Sequence, residues 1–533
     1  MRTYKIITSL CLTLTFCFST YQTKAQDVVV EAQKFGRLVD YIDKMYVDSV
    51  DVHKLVEKAI ISMLEELDPH SVYISKEEYD DMNAPLVGSF SGVGIRFQIL
   101  KDTIMVVETI SGGPSEKVGL MAGDKIVEIE GINVAGVSIK NSDVRSKLLG
   151  DKGTKVNVKI ARKNTPEPIA FTITRADIPI YSVDAYHMVA PKIGYIKINN
   201  FSRTTNDEVK KAIKQLEQEG MKDLIIDLQG NGGGYLSTAI ELSDEVLSGD
   251  KLIVYTEGVN SPRRDYKAGS KGMFEKGRLI VLVDESSASA SEIFSGAVQD
   301  WDRGLIVGRR SFGKGLVQNQ LRLTDGSWVR LTTSRYFTPT GRSIQKAYTN
   351  GTEEYKMEKF TRYETGEAFH IDSIKIADSL KYETLIKKRT VYGGGGIIPD
   401  VFVAIDTTMS SDYSIELIRK GITNQFALTY VNENREMLKQ NYPDFKSFKQ
   451  NFNIDDAIKQ MIAYAEKEGL PYSDADYQKS KLVIDTRLKA IIAQNLYETN
   501  KFYEIITPLN ETLIKAIELL QNDEYNKMDL SKN

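Results

Sequence analysis

The amino-acid sequence predicts a multidomain α/β protein: an alternating strand–helix core, an inserted β-rich domain and helical regions at both ends. Three observations predict it. Apolar residues recur at helical spacing in 27–84 and again in 405–533. Short alternating runs, broken by Gly, Pro and Asp, fill the stretch from 86 to 176. Between 192 and 345, wholly apolar runs of strand length alternate with amphipathic helical patterns. A length of 533 residues agrees with three or four domains at roughly 100–200 residues each.

At the N-terminus, Arg2 and Lys5 precede an apolar run from Ile6 to Phe18, and Thr23-Lys24-Ala25 places small residues where a signal peptidase reads. This is a secretory signal pattern with cleavage after Ala25. The run is shorter than the ~20 residues of a membrane span. A lipoprotein reading through Cys17 is disfavoured by bulky Phe16 before it. The mature chain is therefore expected outside the cytoplasm, in the periplasm or cell envelope, and soluble.

Residues 26–84 follow as a helical segment. Phe35, Leu38, Val39, Ile42 and Tyr46 form one stripe, Leu55, Ala59, Ile60, Met63 and Leu64 another, and Asp68-Pro69-His70-Ser71 reads as a turn. Residues 85–176 form the β-rich domain, with strands at Ile95–Leu100, Thr103–Val107, Lys125–Ile129, Lys155–Ile160 and Ile169–Ile173 and a helix near Asn141–Leu149. Residues 177–404 form the α/β core. Its strands are Ile193–Ile198, Asp223–Leu228, Leu279–Val283 and Leu305–Gly308, and its helices Asp207–Gln218, Leu236–Leu247 and Glu292–Asp300. Residues 346–390 read as an insertion or flap within the core, and 405–533 as a helical C-terminal region.

Composition narrows the function. The chain is 41% hydrophobic and 27% charged, which excludes a disordered, fibrous or polytopic membrane protein. A formal charge of −4 offers no electrostatic attraction for nucleic acid. Both cysteines, Cys11 and Cys17, lie in the signal. The processed chain then has no disulfide, no cysteine-ligated metal and no cysteine nucleophile. No cluster has metal-ligand spacing and HExxH is absent, so neither a metal nor another cofactor is expected.

Three segments carry chemistry. In Val281–Asp300, VLVDESSASASEIFSGAVQD, a buried strand runs through small residues into a helix. A serine at such a junction projects its hydroxyl beside the free N–H groups of the first helical turn, which suit a developing oxyanion. The same spacing, Ser289 to Glu292, also fits a plain capping box. Gly313-Lys314-Gly315 puts a lysine where the backbone must pass close to something. It lacks the spacing of a phosphate-binding P-loop. A lysine drawn into an apolar site loses solvation, its pKa falls, and it becomes able to take a serine's proton. Gln318, four residues on, is placed to orient the amine. Leu224–Gly234, LIIDLQGNGGG, ends a buried strand in a glycine turn whose N–H groups suit an anion, or which is simply tight. None of the four histidines, His53, His70, His187 and His370, sits in a catalytic motif. A Ser-His-Asp triad therefore has no positive support, although triads are not local in sequence.

Together these segments resemble the C-terminal processing peptidases, or tail-specific proteases. The resemblance rests on SASASEI (Ser287–Ile293), SFGKGxVQ (Ser311–Gln318), DLxxNxGG (Asp227–Gly234), TPxGRSIQ (Thr338–Gln345), GGGGIxPD (Gly393–Asp400) and the LDPHSxY turn (Leu67–Tyr73). It implies a crotonase-like or ClpP-like core, with Ser289 as nucleophile, Lys314 as general base and Gln318 beside it. It also implies an oxyanion site at the backbone of Gly233, with Gly234 next to it, and of Ala290. Two positions depart from the family pattern: Gly232 stands where Pro is usual and Gln229 where Arg is usual, and the first could loosen the oxyanion turn.

Ser91–Phe97, Gly113–Leu120 and Gly123–Gly131 likewise resemble a PDZ domain of the bacterial protease type. Gly92, Val93, Gly94 and Ile95 match its carboxylate-binding loop. There, backbone N–H groups would hold a free C-terminus while the peptide adds as a strand. The expectation is an exported serine endopeptidase that takes proteins by apolar C-terminal tails, with the helical ends as candidate homodimer contacts. Two alternatives stand beside it. One is a catalytically silent tail-binding scaffold. The other is a crotonase-like thioester enzyme, opposed by the export signal, the Ser–Lys pair and the PDZ domain.

Overall fold

The computed structural model describes residues 27–163, 165–269, 271–522 and 524–528. The expected signal over 1–25, with Cys11 and Cys17, lies outside the described residues. The chain divides into two compact units, one comprising residues up to Ser75 with Gln320–Leu331, the other Lys76–Asn319 with Thr332–Asn533.

In the first unit, residues 27–45 are helical, and a second helix, Val52–Glu65, is capped by the Asp51 carboxylate accepting from the Lys54 N–H at 3.1 Å. The expected turn follows. Asp68 Oδ1 accepts the N–H groups of His70 and Ser71 at 2.8 and 3.0 Å, and its Oδ2 the Ser71 hydroxyl at 2.6 Å. This carboxylate closure stops the helical run and releases a short strand, Val72–Ile74, antiparallel to 328–330. The expected all-helical segment is thus interrupted by a strand, because Asp68 satisfies the turn's donors itself.

The second unit holds the β-rich domain. Its strands run in the order Ile95–Ile99, Ile104–Thr109, Lys125–Ile129, Lys155–Ala161 and Ile169–Thr174, all antiparallel. Lys155–Ala161 alternates exposed and buried residues along its length, as a strand with one face on a core must. Val144 and Leu148 of the helix Asn141–Leu148 close that core over Ile104, Val106 and Ile160.

The α/β core is a six-stranded sheet: Val183–Ala190, Ile193–Ile198, Asp223–Asp227, Leu279–Val283, Leu305–Gly308 and Val401–Phe402. Only the first pair is antiparallel. The four central strands are buried at every residue, so both faces must be covered. Leu279, Val281 and Val283 meet the helices Thr205–Gln218, Leu236–Asp244 and Ala290–Asp300. The alternate residues Ile280 and Leu282 meet Leu513, Ala516 and Leu519 of the helix Glu511–Gln521. The closing helix of the chain therefore belongs to the core sheet, across the boundary at 404/405 drawn from sequence. The rest of the C-terminal region has its own apolar core, including Phe426, Phe448, Leu488 and Ile492, and seats Leu428 on Met105 and Val107 of the β-rich domain.

The stretch 346–390 was expected as an insertion or flap. Its helix Thr352–Glu364 buries Tyr355 and Arg362. Burial alone would raise the Glu358 carboxyl, yet Arg362, Arg310 and Lys346 hold it down to about 2. The insertion is docked through ion pairs.

Candidate active site

The strand Leu279–Val283 delivers a serine-rich turn to the N-terminus of the helix Ala290–Asp300. Three alternate serines on it have different surroundings. Ser287 is buried and donates to the Leu228 carbonyl at 2.8 Å; Ser291 is buried and donates to the Asn231 carbonyl at 2.9 Å. Ser289 lies between buried Ala288 and Ala290 but is itself half-exposed. Its backbone has φ 55° and ψ −109°, a conformation costing a non-glycine residue about 1–3 kcal/mol. The surrounding bonds hold it there: Tyr336 donates its hydroxyl to the Ser289 carbonyl at 3.1 Å, and the Ser289 N–H donates to Glu292 Oε2 at 2.8 Å.

Glu292 is more than a helix cap. It is fully buried and accepts four hydrogen bonds. Oε2 takes the N–H groups of Ser289 and Lys314 at 2.8 and 2.9 Å; Oε1 takes the Ser311 hydroxyl and the Gly313 N–H at 2.5 and 2.7 Å. Burial pushes its carboxyl above the ordinary range, although all four donors pull it down. Sequence reasoning assigned Glu292 only a capping role; the available signal was its place inside the SASASEI match.

The loop around Lys314 shows what its glycines are for. Gly313 has φ +90°, and a Cβ on it would lie 3.1 Å from the backbone of Gly395 and Gly396. A Cβ on Gly315 would lie 2.9 Å from the Gln345 nitrogen. The GKG, GGGG and RSIQ segments thus meet at one crossing, where the Gly315 N–H donates to Gln345 Oε1 at 2.7 Å. Arg342 of the same segment is fully buried and pairs with Asp300 at 2.7 Å. Lys314 is half-buried, two residues before the strand Leu316–Arg322. Gln318, on that strand, donates through Nε2 to Thr332 Oγ1 at 3.3 Å.

The glycine turn lies directly against the turn that carries Ser289. A Cβ on Gly233, whose φ is +101°, would sit 2.9 Å from the Cβ of Ser289 and 2.8 Å from the Ala288 carbonyl oxygen. The Gly233 N–H donates to Asn231 Oδ1 at 2.8 Å, and Asn231 Nδ2 donates to the Ile198 carbonyl at 3.0 Å. Asn231 thereby braces the turn that lacks the family's proline at Gly232. Gly234 packs on Phe201, with a would-be Cβ 2.1 Å from its carbonyl oxygen. Ala290 opens the helix, where an N–H has no intrahelical acceptor. Gln229, the other departure, accepts from Asn510 Nδ2 at 3.0 Å through Oε1. Nearby, Asp227 is buried and accepts from Lys197 at 3.1 Å and from the Tyr195 hydroxyl at 2.7 Å.

Ser289, Lys314, Gly233 and Ala290 are therefore brought to one locality through Glu292 and the glycine contact. Of the histidines, His187 packs against Tyr195 with the rings tilted by 56° and their centroids 5.3 Å apart, and burial lowers its pKa to about 4. Among the described residues no group of acids, histidines or cysteines has the arrangement of a metal site.

The second expected site lies in the β-rich domain. Val93, Gly94 and Ile95 line a cavity of about 330 Å³ together with Phe90, Phe97, Arg145, Leu148 and Ile178. Gly92 stands behind it, at the end of the strand Ser89–Gly92 paired with Ala176. Ile95–Ile99 is an edge strand of its sheet, so its outer backbone is open to strand addition. Arg145 and the helix residues Ala84 and Pro85 on the cavity wall were not singled out from sequence.

Comparison with known proteins gives matches to family models and to relatives. A model of peptidase family S41 matches residues 192–354 and a PDZ domain model residues 91–173. A model described as the activating protease CtpB N-terminal domain matches 16–78, and a family of unknown function matches 413–498. The chain is 35% identical over 317 residues to the carboxy-terminal processing protease CtpB of Bacillus subtilis, covering 59% of this chain and 65% of that one. It is 35% identical over 327 residues to the carboxy-terminal-processing protease of Bartonella bacilliformis, covering 60% of this chain and 74% of that one. Among solved structures, the photosystem II D1 C-terminal processing protease is 26% identical, with a TM-score of 0.35 over 69% of this chain and 92% of that one.

Proposed function

Since this chain belongs to the carboxy-terminal processing proteases, with a family S41 peptidase core and a PDZ domain, we propose that it is an exported Ser–Lys endopeptidase that selects proteins by their C-terminal tails. The observation that carries the reading is the shared oxygen of Glu292, which takes the N–H groups of Ser289 and Lys314. It holds the nucleophile's turn and the base's loop to each other.

In the proposed mechanism, Ser289 Oγ attacks the scissile carbonyl carbon as its proton passes to Lys314 Nζ. Gln318 steadies the amine. The oxygen charge that develops is met by the Ala290 N–H and by the glycine turn at Gly233 and Gly234. For Gly233 to contribute, its N–H shares or leaves Asn231 Oδ1. The C–N bond then breaks, Lys314 returns the proton to the departing amine, and an ester to Ser289 remains. Water attacks that ester, giving a proton to Lys314. The C–O bond to Ser289 breaks, and the proton restores the hydroxyl. No metal or nucleotide takes part in these steps.

The tail would enter the cavity at Val93–Ile95 and extend the edge strand Ile95–Ile99, its carboxylate on the loop N–H groups, with Gly92 and Gly94 allowing close approach. The walls are largely apolar, which favours an apolar final residue. A free carboxylate occurs once per chain, so reading it selects ends over interior bonds. Residues 1–25 would direct export to the periplasm or cell envelope, and among the described residues no helix is long and apolar enough to cross a membrane. On residues 27–45, Leu38, Tyr41 and Met45 are 54%, 52% and 76% exposed. That row supports a homodimer contact, and a monomeric mass of the full mature chain in solution would remove it.

The test of the main reading is cleavage of an unfolded protein bearing an apolar tail. Wild type is expected to cleave it, while Ser289→Ala and Lys314→Ala, still folded, do not; amidating the tail removes most cleavage. Near wild-type cleavage by Lys314→Ala would reject the base assignment. A wild type that binds the tail and never cleaves would favour the silent scaffold.

A further inference from the structure

The loop that carries Lys314 is gripped along both edges of its backbone. On one edge, the N–H groups of Gly313 and Lys314 donate to Glu292. On the other, Arg362 donates to three consecutive carbonyls just before them. Its Nη1 reaches those of Arg310 and Ser311 at 3.0 and 2.8 Å, and its Nη2 that of Phe312 at 3.2 Å. The Arg362 side chain is only 5% exposed, and its Nε donates to Glu358 at 3.0 Å. Glu358 also pairs with Arg310 at 3.0 Å and with Lys346 at 2.9 Å. Arg362 comes from the inserted helix Thr352–Glu364.

We propose that Arg362 is a positioning residue for Lys314: the insertion's guanidinium sets the backbone path of the base loop, so that the amine is delivered to Ser289. The inference rests on the Ser–Lys reading above. A guanidinium fork reaches three carbonyls at once and stays charged; one ammonium cannot reproduce that geometry. Misplacing a catalytic group by about 1 Å costs on the order of 100-fold in rate.

The experiment compares the full chain with Arg362→Lys, Arg362→Ala and a control, Arg389→Lys. Arg389 is another arginine of the insertion, paired with Asp302 at 2.7 Å and Asp400 at 2.6 Å, that makes no bond to the base loop. Each variant is checked for folding, then measured for kcat and KM on a tailed substrate and for amide hydrogen exchange at Gly313 and Lys314. Arg362→Lys is expected to lower kcat by about 10–100-fold with KM within about twofold. Exchange at those two amides should accelerate by about tenfold or more. Arg389→Lys is expected to lower the unfolding midpoint while leaving kcat and both amides as in wild type. Folded Arg362→Lys with wild-type kcat and unchanged exchange overturns the proposal, as does an equal kcat loss in Arg389→Lys. Should wild type cleave nothing, the Ser–Lys reading is what fails, and exchange alone decides the clamp: faster in Arg362→Lys supports it, unchanged rejects it.

Discussion

Glu292 Oε2 accepts the backbone N–H of Lys314 at 2.9 Å while also accepting that of Ser289 at 2.8 Å. The two residues that the proposed mechanism joins are 25 apart in sequence, and one buried oxygen ties their backbones together. Glu292→Gln keeps the size but replaces one oxygen with an NH2 group that faces donors. Two of the four donors then lose their acceptor at about 1–3 kcal/mol each. The variant should be less stable by about 2–6 kcal/mol and lose about 10–100-fold in kcat. Denaturant unfolding and steady-state kinetics check both, and a Gln variant of wild-type kcat would show that the tie does not matter to the chemistry.

Gly233 and Gly232 should respond oppositely to a methyl group. A Cβ at Gly233 meets Ser289 Cβ at 2.9 Å with φ at +101°, whereas a Cβ at Gly232 has open space around it. Gly233→Ala is expected to lose about 100-fold or more in kcat with tail affinity kept, and Gly232→Ala to stay near wild type. Tail binding by calorimetry beside kcat on the same preparations makes the comparison. Equal activity in the two variants would refute it.

Gly94 should control tail capture alone. Its φ is +74°, and a Cβ on it would press on Ile178 Cδ1 at 2.9 Å and Pro114 Cδ at 3.1 Å. Gly94→Ala displaces the loop that would hold the carboxylate, so affinity for a tail peptide should fall by about tenfold or more. Turnover of a short peptide with an amidated end should not change. Fluorescence anisotropy with a labelled tail reads the first effect; unaltered affinity would place the carboxylate elsewhere.

His187 should make stability depend on acid. Burial lowers its pKa from 6.5 to about 4, a shift that Glu504 opposes and Lys449 and Lys501 reinforce. Between those values the unfolded chain binds the proton and the folded chain does not. Its contribution is therefore complete above about pH 6.5, declines as pH falls, and is gone below about pH 4. The full loss is on the order of 3–4 kcal/mol. In His187→Phe that part of the slope should vanish in unfolding series at stepped pH. An unchanged slope would assign it to other groups.

Much of the core could be read along the chain. Leu279–Val283 and Leu305–Gly308 are wholly apolar runs of strand length, and Thr205–Gln218 carries a 3.6-residue stripe; these signals are local. The segments carrying Ser289, Lys314 and the glycine turn were legible because each places small residues where backbones must cross closely. The ends of elements were less so: the helix expected to reach Leu247 stops at Asp244, since capping depends on what the neighbouring loop donates.

The sequence by itself marked the apolar runs of the core strands, the amphipathic helices beside them and the serine and glycine turns, because periodicity and backbone freedom are properties of nearby residues. Only the tertiary structure decided that Glu292 serves two distant loops, that Arg362 reaches carbonyls about 50 positions away, and that Glu511–Gln521 covers the second face of the core sheet. A buried carboxylate or guanidinium must find its partners wherever the fold brings them, and sequence separation carries no record of that meeting.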